Sequence, residues 1–425
     1  MKSTLMKDLS WGNSVALAWT WGYGTYLSIQ VALAFGMYGL LIFCIPNAIG
    51  LAMFGVLNQH ISEKLARKDI DFETYFLEKT KRYTSILIIF QVLALSINAF
   101  GFIRYVAIPL GYSPIFSLLF LFVIPLLLVG YGRTTNIRWV HLFLGGFIFL
   151  FIIYLLSQWN ISAIKLSLDD IKWGLMNAPS VYFIGWSLLT ILSFAFAPWL
   201  DIQHWQRAVQ IQKDKGNLRR SYIFGGILFF IIIFFHGCAA LYLKLKGIDF
   251  ISESFIGDLV SYRYTVVTNL GNDTFIAGII YVTFLLFIAI GGIASSIAGF
   301  RWYFLEKTKH AHTFNIFLLY LAGFLLAYLL ALYNWQEEAY VLFFSFFIVY
   351  AYSFFWMLFN LKSEPDAKAL FVVSVIFFTI LLSIASYINI LSGIVLFLLP
   401  FLLFLMLAFI FRNKLQADRL TLKEE

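Results

Sequence analysis

The sequence predicts an all-α polytopic membrane protein with about twelve transmembrane helices. Three observations carry that expectation. The 425 residues are 61% hydrophobic and only 12% charged, a balance that leaves no stretch polar enough for a soluble domain. Apolar windows of about twenty residues, each able to cross a bilayer core of roughly 30 Å, recur from one end to the other. Lys and Arg collect in alternate connections.

Spans are expected near 12–35, 36–57, 83–108, 113–131, 138–157, 178–200, 221–243, 275–300, 313–333, 339–360, 367–388 and 390–411. The first ten residues, MKSTLMKDLS, are too polar for a cleaved signal peptide, so span one is expected to be retained. With the N-terminus inside, 24 of the 30 Lys and Arg fall on the inner side and six on the outer. That asymmetry fixes both termini as cytoplasmic in a multi-pass protein of the cell inner (plasma) membrane. It also accounts for the net charge of +8 without a nucleic-acid partner. Cys44 and Cys238 lie in apolar spans and read as small buried hydrophobes. Two connections, Ile61 to Lys81 and Asp201 to Lys213, mix charge with apolar residues at helical spacing and read as amphipathic interfacial helices.

Polar residues inside spans carry the functional signal. Span eight contains LLFIAIGGIASSIAGF, with Ser295 and Ser296 behind Gly291 and Gly292. Hydroxyls in hydrocarbon bond a helix carbonyl, bond another helix, or coordinate something that crosses. The two Ser oxygens, with the Gly292 carbonyl one turn earlier, supply three ligands for a small alkali cation; close packing of two helices through small residues is the other reading. Gln30, Asn47, Gln91, Asn98, His141 and His236 are further intramembrane polar residues, each open to either a pathway role or an interhelical hydrogen bond.

Spans one and six carry interruptions in corresponding places. Span one sets Gly22 and Gly24 among Trp19, Thr20, Trp21, Tyr23 and Thr25, and span six has Thr190 and Ser193 at its centre and Pro198 near its inner end. Glycine permits unwinding and proline removes a backbone donor. Broken helices in matching halves are how inverted-repeat transporters expose backbone at mid-membrane, and five plus five helices would pair one with six and three with eight. A kinked span six and a glycine-packed span one form the plainer alternative.

In three segments the chain resembles the sodium:solute symporters, whose fold is the five-plus-five inverted repeat of the leucine transporter, within the amino acid-polyamine-organocation superfamily. PWLDIQHWQRAVQIQKDK is similar to that family's D-Q-x-x-x-Q-R segment, matched by Asp201, Gln206 and Arg207. DFETYFLEKTKRY is similar to its P-E-F-L-x-x-R-[FY] segment, matched by Glu73, Phe76, Leu77 and Tyr83, and GIASSIAG resembles its serine-rich sodium helix. Thr74 stands where the family has proline, Ile202 stands beside Asp201 where it has glutamine, and its extra N-terminal span is missing, which marks a divergent member.

The resemblance implies a sodium site from Gly292, Ser295 and Ser296, with carbonyls near Leu17 and Thr20 in span one. It divides the chain into a cytoplasmic N-terminus (1–11), a first repeat (12–157), a second repeat (178–360), two further helices (367–411) and a cytoplasmic tail (412–425). The implied partners are sodium, a small-molecule solute and the bilayer, with no other cofactor. The solute would meet Trp19, Trp21, Gly22, Tyr23, Gly24 and Thr25 in span one and Trp186, Thr190 and Ser193 in span six. Sodium-coupled symport of an amino acid, osmolyte, sugar or similar solute is the expected function. The alternatives are a nucleobase/cation symporter of the same fold, with the base between Trp19, Trp21 and Trp186, and a transporter-like sensor without transport. A membrane enzyme would need acidic or His clusters at useful spacing, and the sequence offers none.

Overall fold

The structure, a computed structural model, describes residues 2–20, 23–80, 84–108, 111–129, 193–245, 275–307 and 313–333, with parts of 138–153 and 187–191. Spans ten to twelve and the tail 412–425 lie outside the described residues. Every regular element among the described residues is helical. In chain order these are α1 (Lys2–Trp19), α2 (Tyr23–Ala66), α3 (Phe72–Thr80), α4 (Thr84–Phe102), α5 (Pro114–Val129), α6 (Ile202–Lys213), α7 (Leu218–Leu245), α8 (Phe275–Lys307) and α9 (Thr313–Tyr333). Among them, Phe35–Ala66, Leu87–Ala107, Leu218–Leu241 and Val282–Tyr303 are long and apolar enough to cross a membrane. They coincide with expected spans two, three, seven and eight. This is a multi-pass membrane protein.

Span one is two pieces. α1 ends at Trp19 and α2 begins at Tyr23, with Trp21 and Gly22 outside the described residues. α2 itself bends at Gly36, whose φ of 64° and ψ of −156° are open to glycine and strained for other residues. Residues 23–35 are therefore the second piece of span one, and span two starts after Gly36 with no loop between.

Span six is broken as well, and one sequence expectation is corrected there. Ala197–Trp199 forms a short 3₁₀ turn around Pro198, Asp201 is extended (φ −88°, ψ 110°), and α6 starts at Ile202. Proline's missing N–H and ring favour this interruption, and the Asp201 carboxylate accepts from the Gln203 N–H at 2.8 Å as an N-cap. The expected interfacial helix from Asp201 to Lys213 is instead a buried half-helix: nine of its twelve residues are buried, Gln203, His204, Gln206 and Arg207 among them. It runs antiparallel to α1. Trp19 touches His204 at one end (ring centroids 5.1 Å), Ser14 meets Arg207 midway (3.2 Å), and Lys7 and Trp11 reach Asp214 at the other end (2.7 and 3.2 Å). α1 thus reaches back to Lys2 as a continuous helix, well before the expected start of span one at residue 12.

α3 departs from expectation in the same direction. Its Phe72, Tyr75 and Phe76 were expected at a membrane interface. They are buried, and Phe76 stacks between Trp205 (4.3 Å) and Trp302 (5.8 Å). Glu73 accepts from the Trp302 indole at 2.6 Å and pairs with Lys213 at 2.6 Å, so α3 straps α6 to the end of α8.

α7 lies along α2 at glycine contacts. A Cβ on Gly226 would strike the Ala48 carbonyl, and one on Gly55 would strike the Tyr222 side chain, so the backbones approach as only small residues allow. Overpacking a close contact costs roughly 1–3 kcal/mol. Gly55→Val is accordingly expected to lower the thermal midpoint of the detergent-purified protein by several degrees, while Gly146→Val, where a Cβ meets nothing within 4 Å, leaves it within error.

Candidate functional site

Where the broken ends of spans one and six meet, polar groups crowd into an otherwise apolar interior. Trp19, the last residue of α1, donates its indole N–H to Asn47 Oδ1 at 2.8 Å, and the Asn47 amide donates to the Phe43 carbonyl at 2.7 Å. Phe43 in turn meets Phe194 edge-on at 5.4 Å. One turn of α2 therefore braces both breaks. On span six, Thr190 and Ser193 are fully buried three residues apart, on one helical face. Neither hydroxyl has a hydrogen-bond partner.

Of the residues expected to meet the solute, Trp19, Thr25, Thr190 and Ser193 are buried and flank the two breaks. Trp21, Gly22 and Trp186 lie outside the described residues, as does the side chain of Tyr23. Gly24 sits in the first turn of α2, where its N–H donates to the Thr20 carbonyl at 2.9 Å, and a Cβ there would meet only Ile233 at 3.6 Å. Just beyond, His236 of α7 lies with Nδ1 2.7 Å from the Thr25 carbonyl and 3.1 Å from Ser28 Oγ.

The expected ion ligands are all buried, and each is engaged. Thr20 Oγ1 donates to the Leu17 carbonyl at 2.7 Å, so two of them bond each other. Ser296 Oγ donates to the Gly292 carbonyl at 3.1 Å and accepts from the amides of Gln91 and Gln203, each at 3.2 Å. Ser295 Oγ accepts from Arg207 Nη2 at 2.7 Å. The same guanidinium gives Nε to Ser14 Oγ at 3.2 Å and Nη1 to the Gln203 carbonyl at 3.0 Å. Ser14 Oγ also lies 3.0 Å from His141 Nδ1. α1 and α8 are thus joined through Arg207, a charged side chain only 3% exposed.

The remaining motif residues fasten α6. Gln206 donates to the Ala298 carbonyl of α8 at 2.9 Å, while Asp201 caps the helix. Two residues that the sequence reading placed at the interface belong to the interior instead. Gln203 is one. The other is His204, fully buried between Trp19, Phe54 and Tyr222 with neither ring nitrogen hydrogen-bonded. Their signal was the polar run QHWQR directly after a broken span. Among the described residues no three His, Cys, Asp or Glu side chains are grouped as metal ligands.

No family model matches this chain, and no curated protein matches it by sequence. Solved structures do match its fold. A Na+-coupled sialic acid symporter, captured substrate-bound and outward-open, superposes with a TM-score of 0.63 at 13% identity, covering 95% of this chain and 90% of that one. A manganese transporter from Eremococcus coleocola, the H236A mutant, superposes with a TM-score of 0.55 at 18% identity, covering 97% of this chain and 96% of that one. The chain has a transporter fold. At such identities the likeness shows the fold alone, and it is the all-α polytopic class expected.

Arg207 makes three hydrogen bonds that join α1, α6 and α8. A charged hydrogen bond contributes about 1.5–3 kcal/mol, and a lysine ammonium lacks the planar fork that serves Ser14 and Ser295 together. Arg207→Lys is expected to lower the thermal midpoint by an amount equal to losing at least one such bond, read by differential scanning fluorimetry beside Arg219→Lys as the exposed control.

Proposed function

We propose that the chain is a secondary active transporter that couples sodium to the symport of a small organic solute by alternating access. The observation that carries this reading is the pair of broken spans: α1 and the buried half-helix α6 lie antiparallel, and their broken ends meet at Trp19 and His204. Such breaks are costly in hydrocarbon unless they line a cavity or a site. Solute would lie between the breaks, against Trp19, the stretch Trp21 to Thr25, Trp186, and the unpartnered hydroxyls of Thr190 and Ser193. Those hydroxyls favour a solute with hydrogen-bonding groups over an apolar one. The reading assigns no catalytic step to any residue.

Sodium would take the seam between spans one and eight, from Leu17, Thr20, Gly292, Ser295 and Ser296. Small hard cations favour oxygen ligands of this kind. Because Arg207 holds Ser295, an ion that uses this hydroxyl must meet or displace the guanidinium, and like charges at close range repel. Ion and solute binding are then linked, each tightening the other by one common factor. The inner membrane, with both termini cytoplasmic, is the location that the charge asymmetry supports.

The test is uptake into proteoliposomes from a panel of amino acids, osmolytes, sugars and nucleobases, with sodium replaced by potassium in the control. A solute accumulated only with sodium is the expected result, and Ser296→Ala is expected to raise the sodium concentration for half-maximal uptake at least several-fold. No flux of any panel member would refute transport. Flux indifferent to sodium would refute the coupling and leave the paired serines as packing residues.

A further inference from the structure

Three buried amide side chains on or beside the Gly292–Ser296 turn of α8 each leave an oxygen without a partner. Gln91 of α4 and Gln203 of α6 both turn their NH₂ groups onto Ser296 Oγ, each at 3.2 Å, which leaves both Oε1 atoms unpaired. Asn98, two turns beyond Gln91 on α4, donates to the Ala94 carbonyl at 2.7 Å and leaves Oδ1 unpaired. That oxygen rests on Gly292, so closely that a Cβ there would overlap it. All three side chains are fully buried. Buried acceptors without donors are rare in folded proteins and call for an explanation in an ion, a water or a function.

A side-chain amide presents its nitrogen or its oxygen through the same shape. With the amides of Gln91 and Gln203 turned over, two oxygens replace the two NH₂ groups at the Ser296 hydroxyl. Together with Asn98 Oδ1, Ser296 Oγ and the Gly292 carbonyl they make five neutral oxygens. We propose that Gln91, Asn98, Gln203, Ser296 and the Gly292 carbonyl form a binding site for a small monovalent cation, between α4, α6 and α8. The charge of the occupant follows from the donors. No carboxylate is among the five, and the Arg207 guanidinium lies one residue along α8, on Ser295. A divalent ion prefers anionic oxygens and gains none here. This inference rests on the cation-coupled reading above but moves the ion away from span one. Ser296 and Gly292 are shared, whereas Ser295 stays with Arg207 and α4 takes the place of Leu17 and Thr20.

The experiment is equilibrium binding of radioactive sodium to purified protein in nanodiscs, with choline holding the ionic strength and lithium and potassium as competitors. Saturable binding displaced by lithium is expected. Gln91→Leu and Gln203→Leu are each expected to weaken it at least tenfold, and Ser117→Ala, which removes an α5 hydroxyl bonded to the Ser113 carbonyl, to change it less than twofold. Gln91→Glu, which keeps the side chain's size, is expected to tighten binding several-fold at neutral pH and serves if the leucine variants do not fold. Absence of saturable binding in the wild type, wild-type affinity in the glutamine variants, or an equal loss of binding in Ser117→Ala would each overturn the site. The two readings fail separately. Glutamine-dependent sodium binding without uptake of any solute keeps the site and removes transport; sodium-driven uptake that depends on Ser295 and ignores both glutamines keeps transport and removes the site.

Discussion

Much of this structure depends on one buried guanidinium. Arg207 brings a full charge into a bundle of apolar helices, where such a charge is tolerated only with donors placed on acceptors. Its three hydrogen bonds end on Ser14 of α1, on Ser295 of α8 and on the backbone of α6 itself. A planar fork has few ways to meet two hydroxyls on different helices. The depth of α1 against α6, and of both against α8, is set by where those serines stand. Ser14 extends the chain of contacts to His141 in span five.

The second constraint is that backbone broken inside a membrane still needs partners. At span six the chain meets it locally. Asp201 accepts from the first turn of α6, and the Trp205 indole donates to the Trp199 carbonyl at 2.8 Å, so a half-helix side chain closes the 3₁₀ turn before it. Phe54 then packs on Trp199, Trp205 and His204 together, at 4.9 to 5.9 Å between ring centroids. The break is thereby held as a defined shape, a few residues after the unpartnered hydroxyls of Thr190 and Ser193.

Hydropathy was a good guide to the four described helices long enough to cross a membrane and to both interruptions, because each writes itself locally: twenty apolar residues, a glycine pair among aromatics, a proline after Thr190 and Ser193. It was a poor guide to α6. The segment Asp201 to Lys213 has the composition of a surface helix, and a polar face turned into a polar seam has the same periodicity as one turned to water. What separates the two lies elsewhere in the chain, in the Ala298 carbonyl and the hydroxyls of Ser295 and Ser296, which receive Gln206, Arg207 and Gln203. The paired serines were legible as polar groups in need of partners. That the partners include a resident cation was not, because Arg207 falls outside every apolar window. For the same reason Phe72 and Phe76 of α3 read as lipid-facing until Trp205 and Trp302 are seen against them.

Two kinds of fastening hold the half-helices, and they differ in strength. At the Lys7 end of α1, the helix and the turn after α6 are joined by contacts that mix buried and exposed groups. Asp8 accepts from the Asn217 N–H and pairs with Arg220, whose side chain is 51% exposed, and Lys7 and Trp11 reach Asp214. The Arg220 side of that pair is open to water while the Asp8 carboxylate is buried. Deeper in, the Arg207 contacts are dry and cannot be traded for water without opening the bundle. Motion of α1 and α6 as one body therefore keeps the Ser14 bond, which lies within the pair, and breaks the Ser295 bond, which ties the pair to α8. A cation at the proposed Ser296 site, one residue away on the same helix, would act on the half-helices through the same contact.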